Sequence, residues 1–328
     1  MKTTKMMVSG LVFALLLAPG MAFSDSNVAD VTQVGNSNVA TADQSGDNNT
    51  TSVSQYGNMS KADVDQIGDA NTATVVQGTA GTPISSSALV GYVSGAVIYQ
   101  EGDNNTASTT WHVGNLGSRI SQIGDGNEGE QDLASTSGYK AGKYAIDIQQ
   151  VGDNNDGYQK TTAKYGTYGI QDMLIQQTGN SNIGSQESLS GVSWGMEIIQ
   201  TGDSNNSTQY QDGMHDIASA QIVGNSNVTS QTQSYTLWGL TTRTATIDIL
   251  GDTNTATQNQ LGVSCVADID IVGNANTATQ NQVGNNNFAQ LTQTGNNNVA
   301  SQTQSGDGNS STVVQTGNIN SIAVVQSN

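Results

Sequence analysis

Carboxylates recur in this chain at one kind of place, since Asp47, Asp69, Asp103, Asp125, Asp153, Asp203, Asp252 and Asp307 each directly follow a glycine. Carboxylate and carbonyl oxygens gathered in glycine turns are calcium chemistry. Calcium-binding repeats, however, step by nine residues and fix a second Asp. That second Asp is missing here, so the favoured expectation is solvated acidic turns whose charge slows self-association. Asp47 and Asp69 would then stack one coil apart and repel, whereas Asn274, Asn285 and Asn296 hold the same slot without charge. Residues 271–302 are therefore expected to nucleate assembly best.

Other reactive groups are sparse. His112 and His215 have no partner motif, and no Gly-x-Ser-x-Gly, metal-spaced His pair or phosphate loop occurs. Neither an enzyme nor a cofactor is implied. Cys265 is the single cysteine; in "CVADIDIVG" it alternates with Val266 on the side shared by Ala267, Ile269 and Ile271, which makes it a buried small hydrophobe. Thr72/Thr74, Thr255/Thr257 and Thr277/Thr279 face outward, as on ice-binding solenoids. Only the last two pairs are consecutive, and Val299 and Ser301 follow them. Tyr139, Lys140, Lys143, Tyr144, Tyr158, Lys160, Lys164, Tyr165 and Tyr168 concentrate in the central insertions, as loop surface or as a patch for an acidic polysaccharide or a protein.

The elements that position all of these form a repeat. Gln33, Gln44, Gln55, Gln66 and Gln77 stand eleven apart, as do Gln282, Gln293, Gln304, Gln315 and Gln326. Between them Gln100, Gln122, Gln150, Gln177 and Gln200 mark one clear unit per two steps, with Ile222, Ile249 and Ile271 in the same slot. Glycine follows two places on, at Gly35, Gly46, Gly57, Gly68, Gly102, Gly124, Gly152, Gly179, Gly202, Gly224, Gly251, Gly273, Gly284, Gly295, Gly306 and Gly317. Asparagine follows three further on, at Asn38, Asn49, Asn71, Asn105, Asn127, Asn155, Asn182, Asn205, Asn227, Asn254, Asn276, Asn287, Asn298, Asn309 and Asn320.

Gly-[Asn/Asp]-x-Asn is turn chemistry, and the residues after it alternate with period two, as in a strand with one face inward. Strand, turn, strand, turn makes a coil of 22 residues with insertions of five or six. One coil cannot bury its inner face, but stacked coils enclose a core, and like amides at like positions form hydrogen-bonded ladders. The fold class predicted is all-β: an amyloid-like parallel β-solenoid (β-helix) of about twelve stacked coils, two thin sheets joined by tight turns. Residues 33–77 and 249–328 are regular, and 78–248 are irregular coils with insertions.

Composition bounds the rest. Lys2 and Lys5 precede "MMVSGLVFALLLAPGM", so residues 1–24 read as a secretory signal peptide, followed by a short lead at 25–32. No other segment is apolar enough for a membrane span. A formal net charge of -18 excludes nucleic acid as a partner.

"QVGNNNFAQLTQ", "QTGNNNVASQTQ" and "QIGDANTATVVQ" resemble the curlin repeat, the building block of curli, strongly over about 33–77 and 249–326 and more loosely over 100–248. The resemblance implies a secreted structural subunit of an extracellular amyloid-like fibre, active in cell adhesion and biofilm matrix. Its partners would be itself, a nucleator subunit and an outer-membrane secretion pore. The chain departs from the family in having far more repeats than usual and almost no export segment before Gln33. Coils with unpaired edges, such as "NSIAVVQSN", are expected to template the addition of another molecule. The alternative is a monomeric β-solenoid with a ligand- or ice-binding surface.

Overall fold

The computed structural model describes residues 26–58, 60–78, 95–112, 117–135, 145–163, 172–189, 195–213, 215–234 and 242–328, with the backbone of 3–9, 15–16 and 84–85. The chain divides into two compact units, Met1–Gly169 and Ile170–Asn328. The described residues contain strands and turns and no helix.

In the first unit one sheet runs Val28–Val34, Thr50–Asn58, Thr72–Gln77, Thr106–Trp111, Glu128–Ser135 and Asp156–Ala163, each parallel to the next. The other runs Val39–Ser45, Lys61–Ile67, Gly95–Glu101, Gly117–Ile123 and Ala145–Val151, also parallel. Successive strands in the chain alternate between the sheets, which is the winding of a β-solenoid. The second unit repeats the plan. Its first sheet runs Ile183–Ser188, Asn206–Asp212, Val228–Ser234, Thr255–Leu261, Thr277–Val283, Val299–Ser305 and Ser321–Ser327. Its second runs Met173–Thr178, Gly195–Thr201, Ile217–Val223, Thr244–Leu250, Val266–Val272, Phe288–Thr294 and Ser310–Thr316.

The stack takes in more of the N-terminal sequence than the Gln spacing reveals. Val28–Val34, placed mostly in a lead before the solenoid, pairs fully with Thr50–Asn58. Asn27 already occupies a rung, because its Oδ1 accepts the Asn49 N–H at 2.8 Å. Before it, the backbones of Thr3–Ser9 and Leu15–Leu16 run beside Val28–Val34 and Val39–Ser45.

The two arcs of a coil differ. The arc from second sheet to first is always a four-residue turn, such as 102–105 or 273–276. Every insertion within a unit falls between a first-sheet strand and the next second-sheet strand: 78–94 and 136–144 in the first unit, 189–194 and 235–243 in the second. Of the Tyr/Lys-rich group, Tyr158 and Lys160 sit in the strand Asp156–Ala163 and not in an insertion. Tyr139, Lys140, Lys143, Tyr144, Lys164, Tyr165 and Tyr168 lie outside the described residues.

On the short arc the backbones of successive coils nearly touch. Gly102 has φ +115°, and a Cβ there would lie 2.2 Å from the Gly124 carbonyl oxygen. Inside each coil, volume is traded across the core. Ile146, Met173 and Met196 are large and fully or almost fully buried in second sheets. In the first sheets, Gly129 and Gly184 leave room for Ile120 and Ile175, whose Cγ2 atoms would meet an added Cβ at 2.8 and 2.9 Å.

Gly102→Ala is therefore expected to cost at least about 3 kcal/mol, from left-handed strain plus a backbone clash. Gly308, whose added Cβ would meet nothing within 4 Å at φ +72°, should accept Asn with little change. Thermal unfolding of the two variants checks the contrast.

Candidate functional site

The repeated residues come together as ladders, and the ladders are the candidate site. In the first unit, Gln44 Nε2 donates to Gln66 Oε1 at 2.8 Å, Gln66 to Gln100 at 2.8 Å, Gln100 to Gln122 at 2.9 Å and Gln122 to Gln150 at 2.9 Å. Each amide spends its second N–H across the core: Gln66 on the Thr50 carbonyl, Gln100 on Thr72 and Gln122 on Thr106. One side chain thus ties a coil to the next coil and one sheet to the other. In the second unit Gln211, Gln233, Gln260, Gln282, Gln304 and Gln326 do the same from the first sheet.

Among the described glutamine rungs donation always runs toward the later coil, so a run that starts above an unlike residue can keep an idle acceptor. Gln211 Oε1 and Gln293 Oε1 are buried without a partner. Below Gln211 the slot holds Ser188, and below Gln293 it holds Ile271. In the first unit Trp111 and Leu133 follow Gln77 in register and end that run. Trp111 Nε1 finds Ser118 Oγ at 3.2 Å instead.

A second glutamine file, two residues upstream in the first sheets, escapes the eleven-residue spacing. Gln131 donates to Gln159 at 3.0 Å in the first unit. In the second, Gln186, Gln209, Gln231, Gln258, Gln280 and Gln302 form one continuous run. Its sequence signal is present but mixed, because Val53 and Val75 hold the same position in earlier coils.

Asparagine builds the short arc. Asn49 N–H donates to Asn27 Oδ1, Asn49 Nδ2 donates to the Gly68 carbonyl at 2.7 Å, and Asn71 and Asn105 repeat the pattern. Asn182, Asn205, Asn227, Asn254, Asn276, Asn298 and Asn320 continue it in the second unit. On the long arc the file is broken: Asn38 is followed by Ser60, and Asp216, Arg243 and Cys265 precede Asn287 and Asn309. Cys265 is buried as expected, but it replaces a turn asparagine, and its Sγ donates to the Gly284 carbonyl at 3.2 Å.

The acidic turns have a structural use. Asp69 Oδ1 accepts the Asp47 N–H at 2.7 Å, Asp103 accepts from Asp69 and Asp125 from Asp103. Asn274 does this job for Asp252 without a charge. Among the described residues no group of three or more His, Cys, Asp or Glu is placed to hold a metal. His112 Nε2 lies 3.0 Å from Asp132 Oδ1 in an exposed pair, a partnership that sequence spacing does not reveal.

Acidic side chains also stack on strand faces. Asp65 lies in register with Asp43, Asp270 with Asp248, and Asp156 with Glu128. Burial first, then the neighbouring carboxylates, pushes Asp65, Asp156, Asp248 and Asp270 above the usual carboxylate range.

Two outcomes follow for the ladders and their charged flanks. Gln258→Ala strands the Gln231 donor and the Gln280 acceptor and opens a cavity, so it should cost about 2–4 kcal/mol in denaturant unfolding. Thr257→Ala on the outer face should change stability by no more than about 0.5 kcal/mol. Raised carboxyl pKa values contribute stability below the unfolded pKa and lose it as pH rises through the folded one. The melting midpoint is therefore expected to be higher at about pH 5 than at about pH 7.5, and Asp65→Asn with Asp248→Asn and Asp270→Asn should flatten that dependence.

Comparison with known proteins bears on this geometry at one place. No curated protein matches the chain. Residues 25–57 match the family model described as the curlin associated repeat. That segment holds Val28–Val34, Val39–Ser45 and nearly all of Thr50–Asn58, with the rungs Asn27, Gln33, Asn38, Gln44, Asn49 and Gln55. The rungs from Asn27 to Gln55 therefore lie in a segment that matches the curlin associated repeat.

Proposed function

We propose that this chain is a structural subunit of a secreted, extracellular, curli-like amyloid fibre that grows by coil-on-coil strand addition and serves cell adhesion and biofilm matrix. The observation that carries the reading is that a rung inside a run is completed by like rungs above and below it, as Gln100 is by Gln66 and Gln122. A coil edge is therefore complementary to another coil edge. At Ser321–Ser327 the inward Ile322 is 37% exposed, whereas Ala300 beneath it is 1% exposed. Gln326 Nε2 reaches only the Ser310 carbonyl and has a further N–H to give.

The chain's own first coil suits that edge. Laid over Ser321–Ser327, Val28–Val34 of a second copy sets Asn27 over Asn320, Val31 over Val324 and Gln33 over Gln326. Donation runs the same way across this junction as within each unit, so growth is head to tail. Loss of residues 1–24 as a signal peptide would free the edge of Val28–Val34 that Thr3–Ser9 lines. A nucleator subunit and an outer-membrane pore are the partners that the curlin resemblance adds.

One observation favours an ice-binding surface. Ser185, Thr208, Ser230, Thr257, Thr279 and Ser301 form an in-register hydroxyl file on the outer face of the second unit. The neighbouring file reads Ile183, Asn206, Val228, Thr255, Thr277 and Val299, so the hydroxyl surface is mostly one file wide. That narrowness favours the fibre.

Purified chain lacking residues 1–24 is expected to form fibres in negative stain, with a reflection at about 4.8 Å along the fibre axis. Ile322→Lys with Val324→Lys, at side chains already partly exposed, should leave the coil spectrum intact and stop elongation. Thermal hysteresis without fibres would replace this reading with the ice-binding one.

A further inference from the structure

Equivalent coils create a problem of order. In the second unit Gln258, Gln280 and Gln302 are interchangeable rungs, as are Ile247, Ile269 and Leu291 on the opposite sheet. Stacking with one coil skipped would still set like over like. The looped-out coil of 22 residues adds a closure cost that grows only slowly with length. The ladders that hold the stack together therefore do little to choose its order.

One buried contact is not interchangeable. Arg243 and Asp216 are 2% and 0% exposed and immediately precede Thr244–Leu250 and Ile217–Val223, adjacent strands of the second sheet. Arg243 Nε donates to Asp216 Oδ1 at 2.8 Å, and Nη2 donates to Oδ2. Gly213 makes room for the fork, since a Cβ there would lie 1.7 Å from Arg243 Nη2. In the regular coils the same long-arc place holds Asn287 and Asn309.

We propose that the Arg243–Asp216 pair fixes the coil order of the second unit. If Val266–Val272 or Phe288–Thr294 took the place of Thr244–Leu250 over Ile217–Val223, Cys265 or Asn287 would face Asp216. The carboxylate would then be buried without its cation, a loss far larger than any difference between one glutamine rung and another. The pair stands at the entrance to the regular block, where a wrong first pairing would propagate through every later coil. Its worth lies in the alternatives it excludes, since replacing a buried ion pair by neutral groups often costs little stability.

The test is Asp216→Asn with Arg243→Asn in the chain lacking residues 1–24, held monomeric by Ile322→Lys with Val324→Lys, with amide hydrogen exchange read by mass spectrometry. Without the pair substitutions, peptides from 244–305 should show one protected population. The neutral pair should keep the β spectrum but give two populations, one with a coil exposed. A single population with full protection would overturn the proposal. Should the amide pair fail to fold, Asp216→Leu with Arg243→Met carries the same reading. Arg243→Lys keeps the charge and should stay single; two populations there would assign the effect to packing and overturn the proposal as well. The readout follows order within one chain, so it is independent of whether fibres form.

Discussion

Everything in this molecule depends on the side-chain amide having both donors and an acceptor, arranged so that a copy of itself is its best partner. A buried glutamine in an ordinary core is a liability, because its polar atoms must each find a partner. In a parallel stack of 22-residue coils that liability becomes the fastening. Gln100 accepts from Gln66, donates to Gln122 and donates again to the Thr72 carbonyl, so all its principal bonds are made without water. The same logic explains why so little apolar side chain is needed. Hydrogen bonds of about 1 kcal/mol each, repeated at every coil, do what a broad hydrophobic core does in other folds.

The ladders also set where variation is permitted. On the short arc, asparagine side chains, glycine carbonyls and left-handed residues interlock from coil to coil, and no coil departs from four residues there. On the long arc asparagine rungs survive at Asn38–Ser60 and Asn287–Asn309, outside the stretch that carries the insertions. The long loops of both units leave from that arc. A loop inserted opposite would separate Gly68 from Gly102, whose backbones are in contact.

Much of this was legible in sequence because the repeat is a direct image of the geometry. The Gln33 to Gln77 spacing gave the coil, the strand alternation and the turn, and the Gly-x-x-Asn pattern gave the short arc. Three things were hidden. The upstream glutamine file was masked because Val53 and Val75 share its column with Gln131 and Gln159, and a column becomes visible only when neighbours in space are known. The use of Asp69 and Asp103 as acceptors was hidden because charge repulsion is readable from composition and a backbone N–H is not. The Arg243–Asp216 pair was hidden because its members lie 27 residues apart in a segment whose insertions blur the register.

The distribution of glutamine between the two sheets is the last regularity that needs a cause. In Val228–Ser234, Thr255–Leu261 and Thr277–Val283 the first sheet carries two inward glutamines per strand. The second sheet supplies Ile222, Ile247, Ile249, Ile269 and Ile271 in the same region. In the first unit the relation reverses, with Trp111 and Leu133 on the first sheet against Gln100, Gln122 and Gln150 on the second. Where both sheets carry the amide, as at Gln55 with Gln66 and Gln293 with Gln304, the buried Val53, Val64 and Leu291 beside them supply the apolar contact. Gln260 and Gln282 bond across to the Thr244 and Val266 carbonyls, and the isoleucines around them exclude the water that would compete. The amide file and the apolar file are thus one device, and each coil can place them on either side so long as it keeps both.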